Sequence, residues 1–229
     1  LRILAHLSGD AALIEAFASG EDIHVRTASL MFSLMPGLVT EEMRRRAKVF
    51  NFGVLYGLSE YGLSMRERIP REEAATFIRT YFEKYPGIQQ YVSETTAKVR
   101  TNGYAETLFG RRRYIPEIHS TNFNVRAAAE RAAINMPVQG TAADIIKMAM
   151  NRLDAEMARR KLASWMILQV HDELIFECPA QELEEVRGLC LEIMPQSLEM
   201  RVPLKIDTKA GKSWGEMQYG EAVDLAAYG

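Results

Sequence analysis

RRRAKVFNFGVLYG, residues 44–57, is the stretch that decides the fold. Thr40 and two glutamates precede it and predict a helix that runs to about Tyr56, with Gly57 as its stop. Side chains at four-residue steps drift only about 40° per step around a helix, so one face carries Arg44, Lys48, Phe52 and Tyr56. Two cations followed by two aromatic rings suit a ligand with phosphates at one end and a flat base at the other. A solvated basic face beside core aromatics would give the same periodicity.

The same string resembles motif B, the O helix, of family A DNA polymerases. That motif reads R, three residues, K, three residues, F, G, two residues, Y, G, and every fixed position is present here. The resemblance implies that Arg44 and Lys48 bind the incoming triphosphate. It also implies that Phe52 packs against the nucleotide sugar and base and that Tyr56 guards the templating position. Lys48 is in addition the candidate that neutralises or protonates the pyrophosphate leaving group.

A histidine upstream of this helix is a further candidate for nucleotide binding. His24 lies in EDIHVRTA, residues 21–28, and matches a family histidine near the triphosphate. Outside such a context, a lone histidine is more often structural.

The second candidate site is an acidic hairpin. Trp165–Val170 and Leu174–Cys178 are short apolar runs that predict two strands, with His171, Asp172 and Glu173 between them. Adjacent residues on an extended backbone point to opposite faces, so we expect only one of the two carboxylates, Asp172, to bind metal directly. Polar hairpin tips are also common in proteins without any such role.

QVHDELIFE, residues 169–177, resembles motif C of the same family. The resemblance implies that Asp172 binds the catalytic metal, that His171 contacts primer–template DNA at the primer terminus, and that Glu173 is a nearby, less essential catalytic acid. Phosphoryl transfer of this kind uses two Mg²⁺ ions, for which Mn²⁺ can substitute.

An alanine-rich stretch, RAAAERAAINMPVQGTAADI, residues 126–145, contains Arg131, Asn135 and Gln139 at four-residue spacing. Asn and Gln can donate to the minor-groove acceptors that every base pair presents in similar places, which tests pair shape without reading sequence. A buried hydrogen-bond network between helices is an equal alternative. The stretch resembles the family's Q-helix region, which implies that these residues contact primer–template DNA.

The remaining pattern predicts an α+β fold. Predicted helices cover Asp10 to Ser19, Pro70 to Pro86, Asn122 to Asn135, Thr141 to Lys161 and a segment ending near Pro195, and predicted strands include Tyr104–Leu108 and Leu204–Asp207. Pro137 is expected to break the long helical region, with Thr141 and Asp144 as a capping box. The resemblance implies a right-hand polymerase fold in which residues 1–22 and 124–229 belong to a palm with an antiparallel sheet and 23–123 to helical fingers, with the thumb and upstream domains absent.

Composition limits the class of protein. The net charge is −2, yet Thr40 to Arg131 holds 16 Lys and Arg against 11 Asp and Glu, so one part of the chain is suited to anions. Cys178 and Cys190 lack the spacing of a zinc site or a disulfide framework. No apolar run reaches the roughly 18 residues of a membrane helix, and no signal peptide is evident. We expect a cytoplasmic, nucleoid-associated protein.

Leu1 and Arg2 match the last two positions of the family's motif A, DYSQIELR, whose aspartate is the second metal ligand. We expect the remainder of the polymerase, in the same or a separate chain, to supply that aspartate and the thumb, and the isolated chain to be inactive. The predicted function is DNA-directed DNA synthesis, in which dNTPs are added to a primer 3′ end on primer–template DNA. The alternatives are a non-catalytic primer–template binding module and, with less support, a phosphohydrolase.

Overall fold

The computed structural model describes residues 1–55, 57 and 59–219, which form nine α-helices and six short strands. The helices are α1 (Arg2–Ser8), α2 (Ala11–Ala18), α3 (Ile23–Phe32), α4 (Glu41–Leu55), α5 (Glu60–Glu67), α6 (Arg71–Lys84), α7 (Pro86–Asn102), α8 (Phe123–Arg160) and α9 (Leu183–Ile193). The strands are β1 (Tyr104–Glu106), β2 (Arg112–Tyr114), β3 (Trp165–Val170), β4 (Glu173–Glu177), β5 (Lys209–Ala210) and β6 (Gln218–Tyr219). They pair in sequence order as three antiparallel hairpins. The predicted α+β class is confirmed.

The chain divides into two compact units. The first contains Leu1–Thr141 with Met200–Pro203, and the second contains Ala142–Glu199 with the described residues from Leu204 onwards. The predicted division into palm and fingers at residues 22 and 123 concerns parts of a longer polymerase and stays a prediction.

The core of the first unit is built from several helices. Leu4, Leu13, Phe50, Leu63 and Ile88 come from five different helices, and each is at most 1% exposed. In α4, the ring of Phe50 meets a tyrosine ring of α6 edge-on, with centroids 5.1 Å apart. These contacts fix the inner face of α4 and leave its outer face for other partners.

A buried carboxylate joins the start of α2 to the start of α7. Asp10 is 3% exposed, and its Oδ1 accepts the backbone N–H of Leu13 at 3.0 Å as the N-cap of α2. Its Oδ2 accepts the backbone N–H of Gly87 at 2.8 Å. A Cβ at Gly87 would lie 2.9 Å from the Asp10 Cα, so glycine is required for this approach.

The prediction that Pro137 breaks the alanine-rich region was wrong, because α8 continues through it from Phe123 to Arg160. A proline inside a helix removes one backbone hydrogen bond. The carbonyl that loses its helical donor is that of Ala133, but the surrounding turn is buried, and the Tyr91 hydroxyl anchors it by donating to the neighbouring carbonyl of Ile134 at 2.9 Å. Thr141 is therefore inside the helix rather than at a cap, and its Oγ1 accepts the backbone N–H of Leu108 at 3.2 Å.

The second unit packs the later part of α8 against α9 and the β3–β4 hairpin. Its buried apolar residues include Leu153, Met157, Val186 and Leu189. The hairpin follows the predicted strands closely, with a register irregularity between Met166 and Leu168. The hairpin is thereby anchored on this apolar cluster.

Three smaller expectations differ from the structure. Leu204–Asp207 does not form a strand; Ile206 instead packs against the apolar cluster of the second unit. The strand predicted for Tyr104–Leu108 ends at Glu106, and Arg112–Tyr114 pairs with it as β2. Helix α5 was not predicted; the Ser59 side chain caps it by accepting the backbone N–H of Gly62 at 3.1 Å.

Candidate active site

The outer face of α4 presents most of the residues predicted to bind nucleotide. Arg44 is half-buried, whereas Lys48 and Phe52 are exposed. On the opposite face Phe50 is completely buried. The fourth member of the predicted stripe, Tyr56, lies outside the described residues.

Arg44 is held by a carboxylate from the start of α3. Its Nε and Nη2 both donate to Asp22 Oδ2 at 2.8 Å. The other oxygen, Oδ1, accepts the backbone N–H groups of His24 and Val25 at 2.8 and 3.2 Å as the N-cap of α3. Burial disfavours the charged form of Asp22, but the bonds from Arg44 and from the backbone outweigh it and lower its pKa. One carboxylate thus caps α3 and orients the guanidinium.

His24 is connected to the interior of the first unit through a buried amide. Asn51, which is 1% exposed, places its Nδ2 3.0 Å from the imidazole Nδ1. Its Oδ1 lies 3.1 Å from Oγ1 of Thr27, which is also 1% exposed and also donates to the carbonyl of Ile23 at 2.8 Å. These contacts tie the imidazole at the start of α3 to the inner side of α4.

The imidazole shares its surroundings with an aromatic ring and two cations. Burial lowers the pKa of His24 below its usual 6.5. Asp22 raises this pKa, and the cations Arg44 and Lys48 lower it. The ring of Phe52 lies 5.9 Å from the imidazole, centroid to centroid. We call the side chains of His24, Arg44, Lys48 and Phe52 the α3–α4 surface.

The residues predicted to contact primer–template DNA lie on α8. Arg131 and Gln139 are exposed, and Asn135 is half-buried. Gly57, just beyond the end of α4, has a φ of +63°, and a Cβ at this position would lie 2.7 Å from Cγ of Arg131. Arg131 therefore packs directly on Gly57, which brings α8 next to the end of α4.

Asp172 lies in the two-residue turn of the β3–β4 hairpin. The register pairs Val170 with Glu173, so Glu173 begins β4 and the turn is one residue shorter than predicted. His171 has a φ of +55°, a conformation that is strained for residues other than glycine. The Gln169 side chain donates to the His171 carbonyl at 3.0 Å and supports the turn.

The donor atoms at the hairpin suit a hard cation. Asp172 and Glu173 are both exposed. Mg²⁺ is usually bound by one or two carboxylates together with water and substrate phosphates, and the Asp172 carboxylate fits that role. Within residues 1–55, 57 and 59–219, no three His, Cys, Asp or Glu side chains are grouped closely enough to hold a metal ion by themselves.

A family model for DNA polymerase family A matches residues 1–216. This chain belongs to DNA polymerase family A. It is 48% identical over 217 residues to DNA polymerase I of Lactococcus lactis subsp. lactis, covering 94% of this chain and 25% of that protein. It is 49% identical over 214 residues to DNA polymerase I of Geobacillus stearothermophilus, covering 93% of this chain and 24% of that protein. The chain thus spans about a quarter of the length of the curated relatives it matches.

A solved structure agrees with this membership of family A. The POL domain of Pol1 from M. smegmatis, in complex with DNA primer-template and dNTP, matches with a TM-score of 0.86 and 48% identity. The match covers 89% of this chain and 36% of that chain. The predicted family A fold is confirmed. No helix in the described part of the chain is long and apolar enough to cross a membrane.

Three residues of the site were missed at the level of sequence. Asp22, Thr27 and Asn51 all belong to the network behind the α3–α4 surface. The sequence does carry signals for two of them. Asp22 stands at an N-cap position before an apolar residue, and Asn51 is a polar residue in a core position, next to Phe50 and four residues after Ala47.

Proposed function

We propose that this chain supplies the nucleotide-binding surface and one metal ligand of a DNA polymerase that adds dNTPs to the 3′ end of a primer. The observation that carries the proposal is the α3–α4 surface, where a guanidinium, an ammonium, an imidazole and a phenyl ring adjoin one another. Such a group offers cations for a triphosphate and an aromatic ring for a sugar and base.

Each residue of the α3–α4 surface has a distinct proposed role. Arg44 binds phosphate oxygens through its planar fork, and Asp22 holds that fork in place. Lys48 is exposed and acts as a point charge that neutralises the pyrophosphate leaving group. Phe52, 37% exposed, packs against the nucleotide. Tyr56 is proposed from the family motif alone to guard the templating position.

The DNA contacts are proposed to come from α8 and the hairpin. The exposed side chains of Arg131 and Gln139, with half-buried Asn135, are proposed to donate to a primer–template duplex. His171 would contact the primer terminus from the hairpin turn. Since the minor groove offers similar acceptors in every base pair, these contacts would not depend on sequence.

Asp172 is the proposed ligand of a catalytic Mg²⁺ ion, and Glu173 is an auxiliary acid beside it. When bound, Mg²⁺ would supply charge neutralisation at the phosphoryl oxygens. The backbone of the two-residue turn that carries Asp172 is fixed by strand pairing and by the Gln169 bond.

Two metal ions require more than one well-placed carboxylate, and the chain spans a quarter of the length of its relatives. We therefore propose that it works with the rest of a family A polymerase, which supplies the motif A aspartate and the thumb. The isolated chain, incubated with primer–template DNA, Mg²⁺ and four dNTPs, should extend no primer. Primer extension by the isolated chain would contradict this.

Lys48→Ala tests the nucleotide site in the completed polymerase. We expect kcat for single-nucleotide incorporation to fall about 100-fold, while the Kd for primer–template DNA changes little. Lys98→Ala is the matched control, because Lys98 is an exposed lysine of the same unit on α7. An unchanged kcat in Lys48→Ala would refute the role of Lys48. Tight DNA binding without extension by the completed protein would instead favour the non-catalytic binding module.

A further inference from the structure

Asn51 is a buried polar residue on the inner side of α4, and both ends of its amide are engaged. Nδ2 faces the imidazole Nδ1 of His24 at 3.0 Å, and Oδ1 faces the Thr27 hydroxyl at 3.1 Å. Both Asn51 and Thr27 are 1% exposed, so water does not compete for the bond between them. A buried amide with these partners determines which group donates and which group accepts in each of its hydrogen bonds.

The donor and the acceptor in each hydrogen bond of Asn51 follow from the chemistry of the groups. An amide nitrogen can only donate, so Asn51 Nδ2 pairs with an unprotonated His24 Nδ1. The amide oxygen can only accept, and the Thr27 hydroxyl supplies the proton, in a three-centre arrangement that also reaches the carbonyl of Ile23 at 2.8 Å. In a neutral imidazole whose Nδ1 accepts, the proton lies on Nε2.

We propose that Asn51 is a positioning residue that holds neutral His24 in the tautomer with its proton on Nε2, and that Thr27 sets the orientation of the Asn51 amide. The imidazole then presents an N–H donor without carrying a charge. Its position beside Phe52 is fixed by the same bond, because the ring cannot rotate without breaking the contact from Asn51.

The functional meaning rests on the proposed nucleotide site. A neutral N–H donor next to Arg44 and Lys48 can bind a phosphate oxygen without adding a third positive charge to the surface. In the opposite tautomer, Nε2 would present a lone pair to the same oxygen and repel it. Asn51 therefore determines whether His24 attracts or repels a triphosphate while the imidazole is neutral.

Nitrogen-15 NMR of the full chain tests the tautomer without any need for polymerase activity. The chain has four histidines, and His24→Gln identifies the signals of His24. At a pH where His24 is neutral, long-range ¹H–¹⁵N spectra should show Nδ1 as the unprotonated nitrogen and Nε2 as the protonated one. A protonated Nδ1 with an unprotonated Nε2 would overturn the proposal.

Two substitutions of Asn51 separate positioning from simple packing. Asn51→Leu keeps the size but removes the donor, and the His24 signals should move to those of a mixture of tautomers. Asn51→Asp offers only acceptor oxygens, so the proton should move to Nδ1. Asn124→Asp is the control, since Asn124 is exposed on α8 in the same unit, and it should leave the His24 signals unchanged. A folded Asn51→Leu chain with the wild-type tautomer would overturn the proposal, and the wild-type spectrum remains decisive if both variants unfold.

Titration with a dNTP distinguishes this inference from the proposed function. If the tautomer is as proposed but the dNTP shifts no signal of His24, the nucleotide site fails and the positioning role of Asn51 stands. If the dNTP binds at His24 while the proton lies on Nδ1, the positioning role fails and the nucleotide site stands.

Discussion

The α3–α4 surface and the β3–β4 hairpin turn differ in how their functional side chains are supported. Behind the surface, Arg44 is bound by Asp22, and His24 is bound by a fully buried amide. At the hairpin, Asp172 is exposed in a turn that is supported by strand pairing and by the side chain of Gln169. The helical region is arranged before any ligand arrives, whereas the carboxylate at the turn depends on its ligand. Substitutions in the network behind the α3–α4 surface should therefore affect stability, whereas substitutions at the hairpin turn should affect chemistry alone.

Asp172→Asn should give the largest effect. Loss of the negative charge should reduce nucleotide incorporation by the completed polymerase about 100-fold or more, while the free energy of unfolding of the chain stays within about 0.5 kcal/mol. Single-turnover incorporation and urea denaturation measure the two quantities. Glu173→Gln is the control on the same hairpin and should lower the rate far less. A large loss of stability in Asp172→Asn would show that the hairpin turn itself requires the Asp172 carboxylate.

Arg44→Ala should weaken dNTP binding by about 10-fold to 100-fold, the value of a charge-assisted hydrogen bond. Arg45→Ala is the matched control, because Arg45 is a neighbouring arginine paired with Glu42 and 59% exposed. The Kd for dNTP, measured with primer–template DNA bound, should change only for Arg44. Equal effects of the two substitutions would indicate a general basic surface rather than a defined site.

Asn51→Ala should lower the free energy of unfolding by about 1–3 kcal/mol, because two buried polar partners lose their bonds. Asn124→Ala, at an exposed helical position, should change it by no more than about 0.5 kcal/mol. Urea denaturation of both variants gives the comparison. If Asn51→Ala were as stable as the wild type, the hydrogen bonds of Asn51 would not stabilise the packing of α3 on α4.

Asp22→Asn should give the smallest effect and a distinct pH dependence. The folded pKa of Asp22 is lowered from 3.8, so its contribution is present above that value and is lost as the pH falls through the folded pKa. Asparagine also caps helices, and the side chain is 39% exposed, so the loss at neutral pH should be at most about 1 kcal/mol. Wild-type and variant stabilities should converge once the pH has fallen below the folded pKa of Asp22. A difference that persists there would assign the effect to the cap.

Many of the helices and strands could be predicted from the sequence, because the residue patterns that specify them lie within a few positions of one another. Thr40 and the acidic first turn predict helix α4. Two apolar runs around a polar turn predict the β3–β4 hairpin. The prediction of a helix break at Pro137 was wrong because the continuation of the helix depends on distant contacts and not on local sequence. Proline disfavours a helix locally, but the burial of α8 and the bond from Tyr91 to Ile134, which is 43 residues away, depend on tertiary contacts.

The site was predicted less completely than the fold. The exposed members of the α3–α4 surface follow a four-residue period, so periodicity could find them. Asn51 and Thr27 are 24 residues apart and meet only when α3 packs on α4, so no spacing rule pairs them. The hydrogen bonds behind the α3–α4 surface are determined by tertiary packing, and the spacing of residues along the chain does not specify that packing.

The contact between Gly57 and Arg131 has a consequence for how this chain can vary. A side chain at position 57 would face both a positive φ and the Arg131 side chain at 2.7 Å. A shorter residue at 131 would relieve the contact but not the backbone strain, so a library that randomises both positions should retain glycine at 57. A side chain at position 57, just after the helix proposed to bind nucleotide, would also displace Arg131, a residue proposed to contact DNA, so selection for altered nucleotide use at this end of α4 would also act on template handling.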